Sequence, residues 1–273
     1  MSIFNLPAVT YPHIKQRPNP AVEGCINQSL LEYIEQLKHI KVENYNKLNT
    51  VCGMQETLSF YKYVEVFNNF PWQREKLNVC SIQENDDAKK ALTLVRGGID
   101  NYDALVENAD LVVADTTTYV SDMYTSLKNV LSKQKLDGNL VLHVGDLFGE
   151  CTVQLLYLIS ACYTSMYIYT PMLHTGQTKF VVATKLCHHV ELALPPPYTF
   201  HPTQYFLTKL IEINTIIGQK RLEQTRFNTT SDYECVIWKS KFLSTFHNVN
   251  VDADRRGYQV YERPKTPHSN TVD

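Results

Sequence analysis

The chain has 273 residues, of which 44% are hydrophobic and 20% are charged, and its formal net charge is −2 at pH 7. This composition is typical of an ordinary globular protein and excludes a disordered or fibrous chain, while the length fits one large domain or a domain with an appendage. The near-neutral net charge argues against electrostatic binding of nucleic acid by the protein surface as a whole, but it is compatible with a local basic patch.

The seven cysteines are scattered, form no CxxC pair and in several cases lie inside apolar runs. We interpret them as reduced core residues of a cytosolic or nuclear protein. The N-terminus, MSIFNLPAVTYPHIKQRPNP, lacks the basic segment and apolar core of a signal peptide, and no apolar run is long enough to span a bilayer. We therefore expect an intracellular protein without a membrane partner.

Short apolar runs that indicate strands alternate along the chain with stretches whose apolar residues recur at helical spacing. In chain order, we predict an extended arm over 1–20, a helix over 26–42, a strand over 48–53, a helix through 60–67, a strand over 77–82, a short helix near 86–92, a strand or loop over 93–98, a strand over 109–115, a helix over 121–136, a strand over 138–146, a helix over 147–162 and strands over 165–171 and 179–187. Two further helices are predicted over 203–227 and about 231–246.

Strands separated by helices of this length imply βαβ crossovers and a parallel sheet that is covered on both faces. The connection over 172–178 is too short to hold a crossover helix, so the last two strands should pair antiparallel. We therefore predict an α/β protein with a mostly parallel, Rossmann-like sheet that contains one antiparallel strand, followed by a C-terminal helical extension. A sheet of this outline is typical of Rossmann-like methyltransferases.

The pattern divides the chain into an N-terminal arm (1–20), an α/β domain (21–190), a helical extension (198–247) and a polar tail (248–273). The polar side of the first helix of the extension carries Lys209, Lys220 and Arg221. These three cations are candidates for contact with phosphate or with an acidic partner, and the alternative is an ordinary solvated helix face.

Several stretches resemble the FtsJ-type RNA ribose 2′-O-methyltransferases, particularly the eukaryotic and viral branch that modifies mRNA caps. They are GNLVLHVGDLFGECTVQLLYLIS, YIYTPMLHTGQTKFVVATK, ADLVVADTTTY and, in outline, INQSLLEYIEQL and VCGMQETLSFYKYV. The similarity spans roughly residues 26–187. The resemblance implies a Rossmann-like methyltransferase fold, S-adenosylmethionine as the methyl donor of an active member and RNA as its substrate.

The family uses a Lys-Asp-Lys-Glu tetrad around the ribose hydroxyl, and the resemblance carries this tetrad onto four positions. The first lysine falls on Glu32, the aspartate on Asp115, the second lysine on His143, and the glutamate on Gln177 or Thr178. Only Asp115 keeps the family residue. A carboxylate in place of the first cation would repel a developing oxyanion instead of stabilising it.

The cofactor side departs from the family as well. The family's A-P-G-G loop corresponds here to Gly53-Met-Gln-Glu-Thr-Leu, and the Gly-Gly pair after the strand aspartate corresponds to Thr116-Thr117. Gly98 and Asp100 partly preserve the segment that touches adenine in the family. The resemblance thus leaves Gly53, Gly98 and Asp100 as a degenerate cofactor site.

Each candidate residue also has a purely structural interpretation. His143 is either a general base or a hydrogen-bonded, partly buried ring, and we favour the ring. Asp115 is either a site residue at the carboxyl edge of the sheet or a cap for the following turn, and we favour neither. The run Cys187-His188-His189 lacks a second spaced pair of ligands, so we predict no metal site.

Taken together, these residues predict a catalytically inactive FtsJ-like protein. It would act as a structural or regulatory subunit or as an RNA-binding partner, contacting RNA, an active methyltransferase or another protein, without a cofactor. The alternative is a divergent RNA ribose 2′-O-methyltransferase that uses S-adenosylmethionine, Asp115 and His143. A second alternative is an RNA-binding module that keeps the substrate groove. The family has viral as well as eukaryotic members, so the resemblance is compatible with a viral source.

Overall fold

The computed structural model describes residues 2–8, 45–70, 77–82, 85–97, 101–103, 106–115, 131–145, 147–172, 179–188, 202–227 and 232–243. Within these ranges the strands are β1 (Ser2–Leu6), β2 (Asn78–Ser81), β3 (Asn101–Asp103), β4 (Ala109–Asp115), β5 (Gln134–Val144), β6 (Tyr163–Thr170) and β7 (Lys179–Leu186). The helices are α1 (Tyr45–Cys52), α2 (Leu58–Asn69), α3 (Asp86–Arg96), α4 (Glu150–Cys162), α5 (Gln204–Phe227) and α6 (Asp232–Phe242). None of these described helices is long and apolar enough to cross a membrane.

The strands of the described residues form one seven-stranded sheet in the order β1-β6-β7-β5-β4-β2-β3. Strands β2, β3, β4 and β5 pair in parallel, whereas β7 runs antiparallel to both β5 and β6. This mixed α/β sheet confirms the predicted Rossmann-like architecture. The prediction of a single reversed strand was wrong, because β1 is a second one. It is formed by part of the predicted N-terminal arm and pairs antiparallel with β6.

Alternation of side chains along the central strands builds an apolar layer on each face of the sheet. Leu111, Val113 and Val141 point to the face that α2, α3 and α6 cover. Val112 and Leu140 point to the opposite face, which α4 and α5 cover. Strands buried on both faces need apolar residues at nearly every position, and ADLVVAD and GNLVLHV have this pattern.

The segment predicted as a strand over 48–53 is helical and forms α1. This helix ends at Gly53, which adopts a left-handed φ of 69°. Asn49 favours the helix end, since its carbonyl accepts the Gly53 N–H at 2.8 Å and its side chain accepts the Glu56 N–H at 3.1 Å. In the sheet β2 pairs directly with β4, and no strand from these residues lies between them.

Two other boundaries differ from the predictions. The segment predicted as a strand or loop over 93–98 continues α3 as far as Arg96, and Gly97 ends the helix with φ 76°. The helix predicted over 121–136 ends before Gln134. Strand β5 begins at Gln134, whereas the strand was predicted to begin at Gly138. The helix predicted over 26–42 and the polar tail lie outside the described residues.

The side chain of Glu65 joins helix α2 to the sheet and to α6. Glu65 is fully buried, at 0% exposure. One carboxylate oxygen accepts the Trp238 indole N–H at 2.7 Å, and the other accepts the Tyr169 hydroxyl at 3.0 Å and the Met172 N–H at 2.5 Å. A buried carboxylate is costly unless donors satisfy its oxygens, so these bonds hold α2, the end of β6 and α6 together.

Replacement of Glu65 with Gln should destabilise the protein. The new amide NH₂ group cannot accept the bonds that Tyr169 and Met172 donate to the carboxylate. We expect the free energy of unfolding, measured by urea denaturation, to fall by about 2–4 kcal/mol. Glu212→Gln at an exposed glutamate is the matched control and should change it by less than about 0.5 kcal/mol. Equal stability of the Glu65→Gln variant and the native chain would contradict the role assigned to this carboxylate.

Candidate active site

The chain reverses its direction across the sheet between β2 and β4. From β2 it passes through α3 to β3 on one side, whereas from β4 it continues to β5 on the other. Ligands of open α/β sheets bind beyond the carboxyl ends of the strands at such a switch point. At this edge Asn85 follows β2, Asp115 ends β4, and His143 lies one residue before the end of β5.

Asp115 and His143 form a hydrogen-bonded pair at this edge. They are register partners on β4 and β5, so both side chains point to the same face of the sheet. His143 Nδ1 lies 2.8 Å from Asp115 Oδ2, and the two side chains are only 15% and 21% exposed. The structure thus brings together the two strand-end residues that the sequence singled out, and they bind each other.

Aromatic side chains enclose the His143 ring. Phe180 of β7 stacks on it with ring centroids 5.0 Å apart and an interplanar angle of 24°. Tyr63 of α2 approaches the ring edge-on with a centroid distance of 6.4 Å. The imidazole is therefore held by two aromatic rings and by the Asp115 carboxylate, which restricts its rotation.

Tyr63 connects this pair to the turn that follows β2. Its hydroxyl accepts a hydrogen bond from Asn85 Nδ2 at 3.0 Å, while Asn85 Oδ1 accepts the Ala88 N–H at 3.0 Å and caps α3. The Asn85 carbonyl also accepts the Tyr102 hydroxyl at 3.2 Å. Burial raises the pKa of Tyr63 well above its ordinary value, and the nearby Asp115 carboxylate adds to the rise. The phenol therefore stays neutral over the physiological pH range.

Helix α2 also carries a buried amine, that of Lys62, which the sequence pattern did not single out. Lys62 is 7% exposed. Burial lowers its pKa from 10.5 to about 8, although the Glu65 carboxylate opposes the change. The available signal was a lysine and a glutamate three residues apart in the otherwise apolar stretch FYKYVEVF. An amine that loses its proton near neutral pH acts as a base more readily than a surface lysine does.

The predicted cofactor loop over 53–57 connects α1 to α2, and its side chains are engaged with α3. The Thr57 hydroxyl donates to Asp87 Oδ2 at 2.7 Å. Glu56 pairs with Lys90 at 3.4 Å. Bulky side chains tied to a neighbouring helix differ from the open glycine backbone that the family uses to approach its cofactor. The loop follows helix α1 instead of the strand predicted over 48–53.

The remaining predicted residues of the tetrad and the cofactor site lie outside the described residues. They are Glu32, Gln177, Thr178, Gly98 and Asp100. Within the described ranges, no group of three or more His, Cys, Asp or Glu side chains is placed to hold a metal ion.

The predicted basic patch belongs to a helix on the other face of the sheet. Helix α5 packs on the face of the sheet opposite the Asp115–His143 pair. Lys209 Nζ pairs with Glu212 Oε2 at 2.7 Å, which raises the lysine's pKa, and Lys220 donates to the Ser2 hydroxyl of β1. Arg221 belongs to the same helix, but the structure does not describe its side chain.

No family model matches the sequence, and no curated protein matches it. Two solved structures with similarity are complexes of phosphoethanolamine N-methyltransferase 2 from Haemonchus contortus, one with phosphomonomethylethanolamine and S-adenosylhomocysteine and one with S-adenosyl-L-methionine. They show 13% and 14% identity and TM-scores of 0.33 and 0.32 over 50% and 48% of this chain, and each match spans 39% of the H. contortus chain. A Listeria monocytogenes protein assigned to the class I S-adenosylmethionine-dependent methyltransferases shows 10% identity and a TM-score of 0.35, over 71% of this chain and 83% of that one. Similarity of this size identifies neither the substrate nor the activity of the chain.

The buried Lys62 should make stability depend on pH. Its pKa is 10.5 in the unfolded reference and about 8 in the fold, so the unfolded state binds more protons between these values. Lys62 should therefore add a rise of on the order of 2 kcal/mol to the free energy of unfolding between pH 8 and about 9.5, whereas buried thiols with raised pKa values add a fall. Lys62→Met removes this rise and should make the slope less positive, whereas Lys47→Met at an exposed lysine should keep the native slope. Urea denaturation across this window measures the slope, and an unchanged slope in Lys62→Met would rule the assignment out.

Proposed function

We propose that the chain is an FtsJ-like methyltransferase-fold protein that has lost ribose methylation and acts as a structural or regulatory subunit. Its partner in this proposal is RNA or an active methyltransferase. The sequence resemblance over residues 26–187 supports the scaffold. The parallel strands with a reversed β7 between β5 and β6 are the arrangement that such a scaffold needs.

The observation that carries the loss of catalysis is the hydrogen bond between His143 Nδ1 and Asp115 Oδ2. Ribose methylation requires groups that orient a hydroxyl and accept its proton beside the methyl donor. Here the Asp115 carboxylate binds His143, and Phe180 stacks on the imidazole. With this pair intact, a ribose hydroxyl could be served only through His143 Nε2 or the second Asp115 oxygen, and the two side chains are only 15% and 21% exposed. In the proposal the pair instead fastens the end of β4 to the end of β5.

The proposal leaves S-adenosylmethionine out of the protein's function. Gly53, Met54, Gln55 and Glu56 stand where the family's cofactor loop has A-P-G-G. Glu56 and Thr57 are bound to residues of α3. Side chains at these positions occupy space that the family keeps for the close approach of main chain to ligand.

A second candidate is a divergent RNA ribose 2′-O-methyltransferase, and the observation that favours it is Lys62. This buried amine, with its pKa lowered to about 8, lies one residue before the tyrosine whose ring contacts His143. In this candidate Asp115 and His143 would contact the ribose hydroxyl, with S-adenosylmethionine as the methyl donor, and Lys62 would be a further buried base on the same helix as Tyr63.

Calorimetry of the whole chain with S-adenosylmethionine separates the two candidates. The proposal predicts no saturable heat and no methyl transfer to capped RNA, because in it the side chains of the 53–57 loop and the Asp115–His143 pair bind other residues of the fold instead of the donor. Saturable micromolar binding, together with methyl transfer that Lys62→Met and Asp115→Asn each abolish, would replace the proposal with the enzyme.

For RNA as the partner, the basic side of α5 is the contact proposed from the sequence. Substituting Lys209, Lys220 and Arg221 with Ala removes three cations, so RNA affinity should fall about tenfold or more and the salt dependence should become shallower by about 2–3 in slope. A triple substitution of Lys47, Lys89 and Lys90, which are exposed on other helices, serves as a charge-matched control and should have a smaller effect. Fluorescence anisotropy over a salt series measures both quantities. Equal losses in the two triple variants would reject α5 as the RNA contact.

A further inference from the structure

Two cysteines face each other where the β6–β7 ladder begins, at the edge of the sheet opposite the Asp115–His143 pair. Tyr163 at the start of β6 is the register partner of Leu186 at the end of β7. The next residues outward are Cys162 and Cys187. The Cys187 N–H donates to the Cys162 carbonyl oxygen at 2.7 Å, one residue beyond the last ladder pair, where Cys162 ends helix α4.

This hydrogen bond sets the separation of the two residues. Opposed residues that share a backbone hydrogen bond in an antiparallel ladder have α-carbons about 5.5 Å apart. Disulfides join residues whose α-carbons are roughly 4.4–6.8 Å apart. The backbone therefore already holds Cys162 and Cys187 at a separation that a disulfide spans.

The two thiols differ in access to solvent. Cys162 is fully buried, whereas Cys187 is exposed, with its Sγ 3.0 Å from the Thr164 hydroxyl oxygen. Burial raises the pKa of Cys162 to about 12, and the charge of Cys187 contributes to the rise. Both cysteines are free thiols in the structure.

We propose that Cys162 and Cys187 form a reversible disulfide when the protein meets a hydroperoxide oxidant. This modification site lies outside the proposed function and does not depend on it. It also changes the expectation that the cysteines are only reduced core residues, because an exposed thiol paired with a buried one is poised for reaction with an oxidant.

The chemistry balances in two steps. The exposed Cys187 thiolate attacks one oxygen of hydrogen peroxide and breaks the O–O bond, giving a sulfenic acid and hydroxide, which takes up the thiol proton to become water. The Cys162 sulfur then loses its proton, attacks the Cys187 sulfur and displaces the second oxygen as water. Two thiols and one peroxide thus yield one disulfide and two waters. Its high pKa keeps Cys162 protonated, so Cys187 reacts first.

Peptide mapping by mass spectrometry tests the proposal on the full-length chain. After treatment with hydrogen peroxide and alkylation of the remaining thiols, we expect a peptide pair joined through Cys162 and Cys187, lighter than the two reduced peptides by two hydrogen atoms. Dithiothreitol should separate the pair and restore alkylation of both residues. The crosslink closes the β6–β7 hairpin, so the oxidised protein should also melt on the order of 5 °C higher.

Variants make the test specific. Cys187→Ser, at the exposed member, should fold normally and lose both the joined peptides and the rise in melting temperature. Cys52→Ser, at a half-buried cysteine elsewhere, is the matched control and should retain both. Recovery of Cys162 and Cys187 as separately alkylated peptides after peroxide, or of Cys187 only as sulfinic acid, would overturn the proposal.

Discussion

A single buried carboxylate determines where helix α2 lies on the sheet, and the candidate site depends on that position. Glu65 accepts hydrogen bonds from Tyr169 and Met172 near the end of β6 and from Trp238 of α6. Since an unsatisfied carboxylate in the core would cost several kcal/mol, α2 cannot shift along the sheet without losing these donors. Two residues before Glu65, the same helix places the ring of Tyr63 against His143. The hydrogen bonds to the Glu65 carboxylate thus hold helix α2 in place over the carboxyl edge of the sheet.

The polar groups at that edge are occupied with one another. His143 binds Asp115, and Asn85 binds both the Tyr63 hydroxyl and the first turn of α3. An edge that serves a ligand keeps such donors and acceptors directed outward, whereas an edge that serves the fold directs them inward. In the described part of this chain these bonds join strands and helices of the fold to one another. Lys62 is the feature that keeps the enzyme candidate in consideration, because burial of an amine is costly and lowers its pKa.

Fold-level features were predictable where local pattern and burial agree. Continuous apolar runs such as ADLVVAD match β4 residue for residue, because a strand buried on both faces admits few polar side chains. The segment over 48–53 was wrongly predicted as a strand because local pattern and structure disagree there. Its β-branched residues favour a strand, whereas the Asn49 side chain stabilises a helix end. The resemblance singled out Asp115 and His143, but their contact was not predicted and follows from the register of β4 and β5. The roles of Glu65 and Lys62 were not predicted either, because they arise from contacts more than a hundred residues away or from burial, which periodicity does not encode.

The most direct measurement of the central claim is a double-mutant cycle on the Asp115–His143 pair. Urea denaturation of the native chain, Asp115→Asn, His143→Gln and the double variant yields the free energy with which the two side chains stabilise each other. If the pair fastens β4 to β5 as a structural element, the coupling energy should be about 1–3 kcal/mol in favour of folding. Strictly additive effects, or single variants more stable than the native chain, would contradict it, since residues kept for catalysis often cost stability instead of adding to it.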